Sequence, residues 1–71
     1  MPKRLTAKKI EHYLLQAGFE LISQKGSHRK WRNEQTGKQV IVPYHQGRDL
    51  PIGTLMSIVK GSGLDKEYFG L

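Results

Sequence analysis

Residues 28–43, HRKWRNEQTGKQVIVP, are the most informative segment for predicting the fold of this chain of 71 residues. Two short runs with bulky and β-branched side chains flank a polar segment that ends in glycine. This pattern predicts a β-hairpin, in which the first strand starts at residue 27 or 28 and ends at residue 33. The segment NEQTG, residues 33–37, forms the loop, and residues 38–43 form the returning strand.

A helix and another strand are predicted before this hairpin. Residues 19–25 alternate loosely between apolar and polar side chains and predict the first strand of a sheet, followed by the turn KGS. Apolar residues recur at helical spacing from residue 7 to residue 17 and predict a helix before that strand. Thr6 can cap this helix, and Gly18 can end it. Its solvent-facing side is expected to carry the polar residues: Lys8, Lys9, Glu11, His12 and Gln16.

A second helix is predicted after the hairpin. Pro51 suits its first turn because the fixed φ of proline fits a helix start, and the helix is expected to end near residues 61–63. Residues 44–50 form the loop before it, and residues 65–69 can add one short turn. One face of this helix is predicted to lie in the core: Ile52, Leu55, Met56 and Val59.

The element order α-β-β-β-α places the chain in the α+β class, as one domain over residues 1–71. The expected packing is a three-stranded antiparallel sheet with both helices on one face. Side chains alternate across a strand, so Arg29 and Trp31 share one face, and Trp31, the only tryptophan, is expected to anchor it in the core. The opposite, uncovered face then carries a histidine within a basic row: His28, Lys30 and Arg32.

The charge of the chain indicates a polyanionic partner. Twelve lysines and arginines face six acidic residues, which gives a net charge of +6. A surface of this kind attracts RNA or DNA, and RNA on the uncovered sheet face is the first interpretation. The alternatives are an acidic protein partner, or a basic surface that binds no polyanion at all.

Length and composition exclude several other classes of function. A chain this short buries a small core, so a shallow site is expected rather than a deep cleft. The absence of cysteine excludes disulfides, thiolate nucleophiles and cysteine-ligated zinc, and it suits a reducing cytoplasm. No apolar run approaches the length of about 20 residues that crosses a bilayer, so no membrane partner is expected.

Three stretches carry a family resemblance: GSHRKW at residues 26–31, VIVPYH at residues 40–45 and DLPIGTLMSIVKGSGL at residues 49–64. In this order and spacing they resemble the HicA family of small mRNA interferase toxins, from about Thr6 to Leu64. The resemblance implies a fold like that of the double-stranded-RNA-binding domain. It also implies RNA cleavage, arrest of translation and neutralisation by a HicB antitoxin encoded beside the toxin.

The resemblance also implies which residues form the site. The catalytic histidine of the family lies in a Gly-Ser-His motif, which maps onto His28. No metal or cofactor is expected, because RNA supplies its own 2′-hydroxyl nucleophile and the enzyme needs only a base, an acid and cations. His45 could be the general acid or a phosphate contact, and the alternative is a surface-loop histidine without a role. The residues expected to bind RNA surround His28: Lys25, Gly26, Ser27, Arg29 and Lys30.

The residues by themselves leave plainer interpretations open. A lone histidine on a strand is more often solvated than catalytic, and Gly26 and Ser27 can serve only to shape a turn. His28, His45 and Asp49 match no standard zinc spacing. The other function considered is a non-catalytic module that binds double-stranded RNA. A DNA-binding helix-turn-helix is disfavoured, since three strands separate the two helices in sequence.

Overall fold

The computed structural model describes residues 4–71, so the first three residues of the predicted domain lie outside the described part. Its elements are helix α1 (Ala7–Gln16), strands β1 (Glu20–Lys25), β2 (His28–Arg32) and β3 (Gln39–Pro43), helix α2 (Ile52–Ser62) and a 3-10 turn (Lys66–Phe69). The strands form one antiparallel sheet in the order β1-β2-β3. The predicted α+β fold with the order α-β-β-β-α is therefore confirmed. No helix within residues 4–71 is long and apolar enough to cross a membrane.

Helix α1 begins and ends where the sequence predicts. The hydroxyl of Thr6 accepts a hydrogen bond from the backbone N–H of Lys9 at 3.2 Å, which satisfies one of the free donors of the first turn. After the last turn, Gly18 has a φ of +97°, a value that glycine adopts without strain. The apolar stripe of the helix is buried, and Phe19 enters the same core immediately after the glycine.

The prediction for the buried face of α2 is partly wrong. Leu55 is buried as expected, but Ile52 and Met56 are each 42% exposed. The apolar residues of this helix form one broad stripe from Ile58 to Met56, and only part of that stripe can face the sheet, so the pattern fits more than one rotation about the axis. The rotation adopted brings Gly61 against β3, where an added Cβ would lie 3.2 Å from Cγ1 of Val40. The residues that this rotation buries are Leu55, Ile58, Val59 and Ser62.

The predicted short turn after α2 is confirmed, and it contributes to the core. Phe69 is fully buried, and its ring meets that of Tyr13 edge to face with centroids 5.7 Å apart. The hydroxyl of Tyr68 donates a hydrogen bond to the backbone carbonyl of Tyr13 at 2.8 Å. The 3-10 turn is therefore held against helix α1 by a ring contact and a hydrogen bond.

The helices cover one face of the sheet and leave the other face open. Trp31 and the two valines of β3 are buried beneath the helices, whereas Ile41, between those valines, is 44% exposed. Strand β1 has every residue exposed and is an edge strand with a register shift between Leu21 and Ser23. Directly opposed residues in an antiparallel sheet point to the same side. We define the open face as the side away from the helices, formed by Glu20, Ser23, Lys25, His28, Lys30, Arg32, Gln39, Ile41 and Pro43.

Candidate functional site

A tight turn places His28 at the start of β2. Gly26 and Ser27 form a two-residue link between β1 and β2, and Lys25 and His28 are Cα partners on its two sides. Gly26 has a φ of +59°, and an added Cβ would meet no atom within 4 Å. Glycine is therefore favoured at this position by the backbone conformation and not by a lack of space. The side-chain amide of Gln24 donates to the carbonyl of Gly26 at 2.9 Å and supports the turn.

The open face brings three of the predicted site residues together. His28 is exposed, Lys25 is its neighbour across the turn, and Lys30 lies two residues further along β2 on the same side. Arg32 continues this row, and its Nε lies 3.4 Å from Oε1 of the exposed Glu34. An imidazole is thus flanked by ammonium groups on a surface that a nucleic acid strand can reach.

The loop that holds His45 is bonded to the turn that holds His28. The backbone N–H of Tyr44 donates to the carbonyl of Ser27 at 2.7 Å, which extends the β2–β3 ladder by one bond. Ser27 is half-buried and Gly26 is exposed. His28 and His45 each follow one of the two bonded residues directly. The structure therefore holds the two histidine-bearing segments side by side.

Arg29 lies on the other side of the sheet from His28. Its Nε is 2.9 Å from Oε2 of Glu11 on α1, and its guanidinium carbon is 4.8 Å from the ring centroid of Tyr44. Both contacts hold the guanidinium on the helix side. Of the strand residues predicted to bind RNA, Lys25 and Lys30 lie on the open face and Arg29 lies on the opposite face. Its position between a carboxylate and an aromatic ring indicates a structural role.

The prediction that Glu11 lies on the solvent-facing side of α1 is wrong, because its side chain is buried against β2. Only 7% of Glu11 is exposed, and the indole N–H of Trp31 donates to its Oε2 at 2.8 Å. Burial raises the pKa of Glu11 above its ordinary 4.5, while the Trp31 hydrogen bond and the charge of Arg29 act in the opposite direction. A hydrogen-bond donor and a cation thus offset part of the cost of burying this carboxylate.

The raised pKa of Glu11 predicts how stability depends on pH. The folded chain binds this proton more tightly than the unfolded chain does, so the contribution of Glu11 is fully present below pH 4.5 and is lost as the pH rises through the folded pKa. We expect the free energy of unfolding of the wild type, minus that of Glu11→Gln, to fall over this window. Urea denaturation followed by Trp31 fluorescence at several pH values measures this difference. A difference that grows with pH would contradict the prediction.

A cavity of about 260 Å³ lies beside the open face, lined by Pro43, His45, Arg48, Asp49, Leu50 and Pro51. Pro43 is the Cα partner of His28, so the cavity adjoins the histidine across one strand. The sequence pattern indicated His45 as a candidate site residue but did not indicate Arg48 and Asp49 as its neighbours in a cavity. The one sequence feature that pointed to these two residues was the polar composition of the loop between the last strand and the second helix.

Backbone bonds hold the loop around this cavity. The N–H of Leu50 donates to the carbonyl of Leu5 at 2.8 Å, and Asp49 forms an isolated β-bridge with Thr6. The N–H of Arg48 donates to the carbonyl of His45 at 3.2 Å, which closes a turn inside the loop. Among residues 4–71, no group of three histidine, cysteine, aspartate or glutamate side chains is placed to hold a metal ion.

The comparison with known proteins identifies one family. A family model described as "HicA toxin of bacterial toxin-antitoxin" matches residues 7–64, from the first residue of α1 to just beyond α2. The matched range includes the turn that carries His28 and the loop that forms the cavity. No curated protein matches the chain at a significant level.

Proposed function

The chain belongs to the HicA toxin family, and from this premise we propose that it is a metal-independent endoribonuclease that cleaves mRNA with His28 as catalytic residue. Membership makes the chain a toxin of a toxin-antitoxin system. The observation that carries the proposal is the position of His28, exposed at the start of β2 with lysines on both sides. Its substrate would place the activity in the cytoplasm, where mRNA is translated.

The reaction that suits this arrangement uses the 2′-hydroxyl of RNA as nucleophile. His28 takes the proton of that hydroxyl, the 2′-oxygen attacks the adjacent phosphorus, and the bond from phosphorus to the 5′-oxygen breaks. Histidine suits this task because its charge changes near neutral pH. Lys25 and Lys30 stabilise the negative charge that accumulates on the phosphoryl oxygens.

A second group must protonate the leaving 5′-oxygen, and we assign this role to His45. Support comes from the hydrogen bond between Tyr44 and Ser27, which holds the His45 loop against the catalytic turn. Arg29 is left out of the RNA-binding set, because it is held by Glu11 and Tyr44 on the opposite side of the sheet. Gly26 and Ser27 contribute through the turn geometry, and Ser27 uses its backbone carbonyl to hold the loop.

Membership in the family implies an antitoxin partner. We propose that this partner is a HicB-type protein with an acidic surface that covers the open face. The net charge of +6 and the lysines around His28 favour such a partner. Its binding would then block RNA cleavage, and a complex that still cleaves RNA at the free rate would contradict this part of the proposal.

The test of the function is an incubation of the purified chain with one structured RNA in the presence of EDTA. We expect fragments with 2′,3′-cyclic phosphate and 5′-hydroxyl ends, because the mechanism uses the 2′-oxygen and no metal ion. Fragments with 5′-phosphates, or loss of all cleavage on addition of EDTA, would contradict the mechanism. Tight binding of duplex RNA without any cleavage would instead favour a module that binds double-stranded RNA.

A further inference from the structure

We propose that the cavity beside His28 binds a guanine base next to the cleaved phosphate, so that the toxin prefers guanosine-containing RNA sites. This inference rests on the proposed function, since it takes RNA as the ligand of the open face. The cavity is formed by Pro43, His45, Arg48, Asp49, Leu50 and Pro51 and has a volume of about 260 Å³. The inference adds a base preference to the proposed ribonuclease activity and assigns it to residues outside the catalytic turn.

The position of the cavity fits a base adjacent to the reacting phosphate. Pro43 pairs directly with His28, and opposed residues in an antiparallel sheet have Cβ atoms roughly 4.5–5.5 Å apart. A phosphate bound at His28, between Lys25 and Lys30, would therefore lie one strand away from Pro43, which forms part of the cavity wall. A base attached to the neighbouring ribose can reach that wall without a long linker.

The lining has the two kinds of surface that a nucleobase requires. Pro43, Leu50 and Pro51 offer apolar contact for the ring. Arg48 and Asp49 offer a donor and an acceptor at the same cavity. Within residues 4–71 neither of these two forms an ion pair, and both side chains are exposed.

Guanine complements this pair of charged groups better than the other bases do. Its O6 and N7 atoms accept two parallel hydrogen bonds from an arginine, and its N1–H and N2–H groups can donate two bonds to a carboxylate. Adenine has one exocyclic amino group and no N1–H, so it can offer a carboxylate no such pair of donors. Cytosine and uracil have no counterpart of the O6 and N7 pair.

The cavity is also held in shape before any base enters. The bonds of Leu50 to Leu5 and of Arg48 to His45, and the bridge between Asp49 and Thr6, fix the backbone of the loop on both sides of the charged pair. A preformed site loses little ordering entropy on binding and therefore discriminates between ligands through its contacts. This argues for recognition of a base by the loop rather than for an adaptable surface contact.

The experiment measures binding separately from cleavage. The protein is His28→Ala, which leaves the RNA uncut in the proposed mechanism, and the probes are labelled heptamers with one guanosine, inosine or adenosine among uridines. Inosine lacks the N2 amino group, so it loses one bond to Asp49. We expect the guanosine probe to bind about tenfold to a hundredfold more tightly than the inosine probe, the range for one hydrogen bond to a charged group, and the adenosine probe to bind no more tightly than the inosine probe.

Two variants assign the preference to the cavity. In Asp49→Asn within the same protein, a single amide oxygen replaces the two carboxylate oxygens, so most of the preference for guanosine over inosine should be lost. Asp65→Asn removes the same charge from an exposed residue that does not line the cavity, and it should retain the full preference. A general gain in RNA affinity from the lost negative charge would appear in both variants alike.

Each outcome decides the inference. Equal affinity for the three probes would overturn it, and so would a guanosine preference that Asp49→Asn leaves unchanged. The cleavage sites of the wild type then separate the two proposals. His28-dependent cleavage with no base preference would retain the function and reject the guanine site. A guanosine preference in binding with no cleavage under any condition would retain the site and reject the ribonuclease.

Discussion

Replacement of His28 by alanine is expected to lower the rate of RNA cleavage by about 10²- to 10⁴-fold, the range over which one general acid or base contributes. The fold should be unaffected, because the side chain of His28 is exposed at the start of the central strand and its backbone bonds do not depend on that side chain. RNA affinity should change little, since the lysines that surround the phosphate remain. The rate is measured with wild type and variant on the same RNA, after circular dichroism has shown that both are folded.

His12→Ala is the matched control for this experiment. His12 is also an exposed histidine, but it lies on α1, with its ring beside Tyr13 at a centroid distance of 6.3 Å. We expect this variant to cleave at the rate of the wild type. Equal rates for wild type and His28→Ala would reject the catalytic role, and equal losses in both variants would point to a nonspecific effect of the substitutions.

Replacement of Trp31 by alanine is expected to have the largest effect on stability. Trp31 is buried in the central strand β2, and its indole N–H donates a hydrogen bond to Glu11. Removal of such a ring costs about 3–5 kcal/mol from its packing alone. A single core in a chain of about 70 residues rarely supplies more than about 3–5 kcal/mol of stability. We therefore expect the variant to be largely unfolded or to melt far below the wild type in a thermal scan followed by circular dichroism.

One further substitution separates the packing of Trp31 from its hydrogen bond, and a second serves as a surface control. Trp31→Phe keeps most of the ring packing but removes the donor to the buried carboxylate of Glu11, which should cost about 1–3 kcal/mol. Leu15→Ala changes an apolar residue that is 59% exposed and should stay within about 0.5 kcal/mol of the wild type. A Trp31→Ala variant as stable as Leu15→Ala would show that the indole does not anchor the core.

The alternating pattern of the hairpin predicted the faces of β2 correctly, whereas the helical patterns were less reliable. A strand has a side-chain period of two, so one buried residue, Trp31, determines the direction of every neighbour. A helix with many apolar residues fits several rotations, which is why Met56 was placed in the core and is exposed. The burial of Glu11 depends on a donor and a cation 18 to 20 positions away on β2, and no local pattern contains that information.

The candidate site was predictable to the extent that it lies on one short motif. The turn at Gly26 and the exposure of His28 follow from local sequence, and the family motif adds the proposed role of the histidine. The cavity beside it depends on the bond between Leu5 and Leu50, which closes the loop from a distant part of the chain. The participation of Arg48 and Asp49 is therefore a property of the folded loop.

The burial of Leu5 and Phe69 bears on how the domain should be divided into fragments. Both side chains belong to the hydrophobic core, yet Leu5 precedes and Phe69 follows the matched range of residues 7–64. A fragment cut at those borders would lack two core side chains, each of which contributes roughly 2–5 kcal/mol. The autonomous folding unit is therefore longer at both ends than the segment that the family pattern recognises.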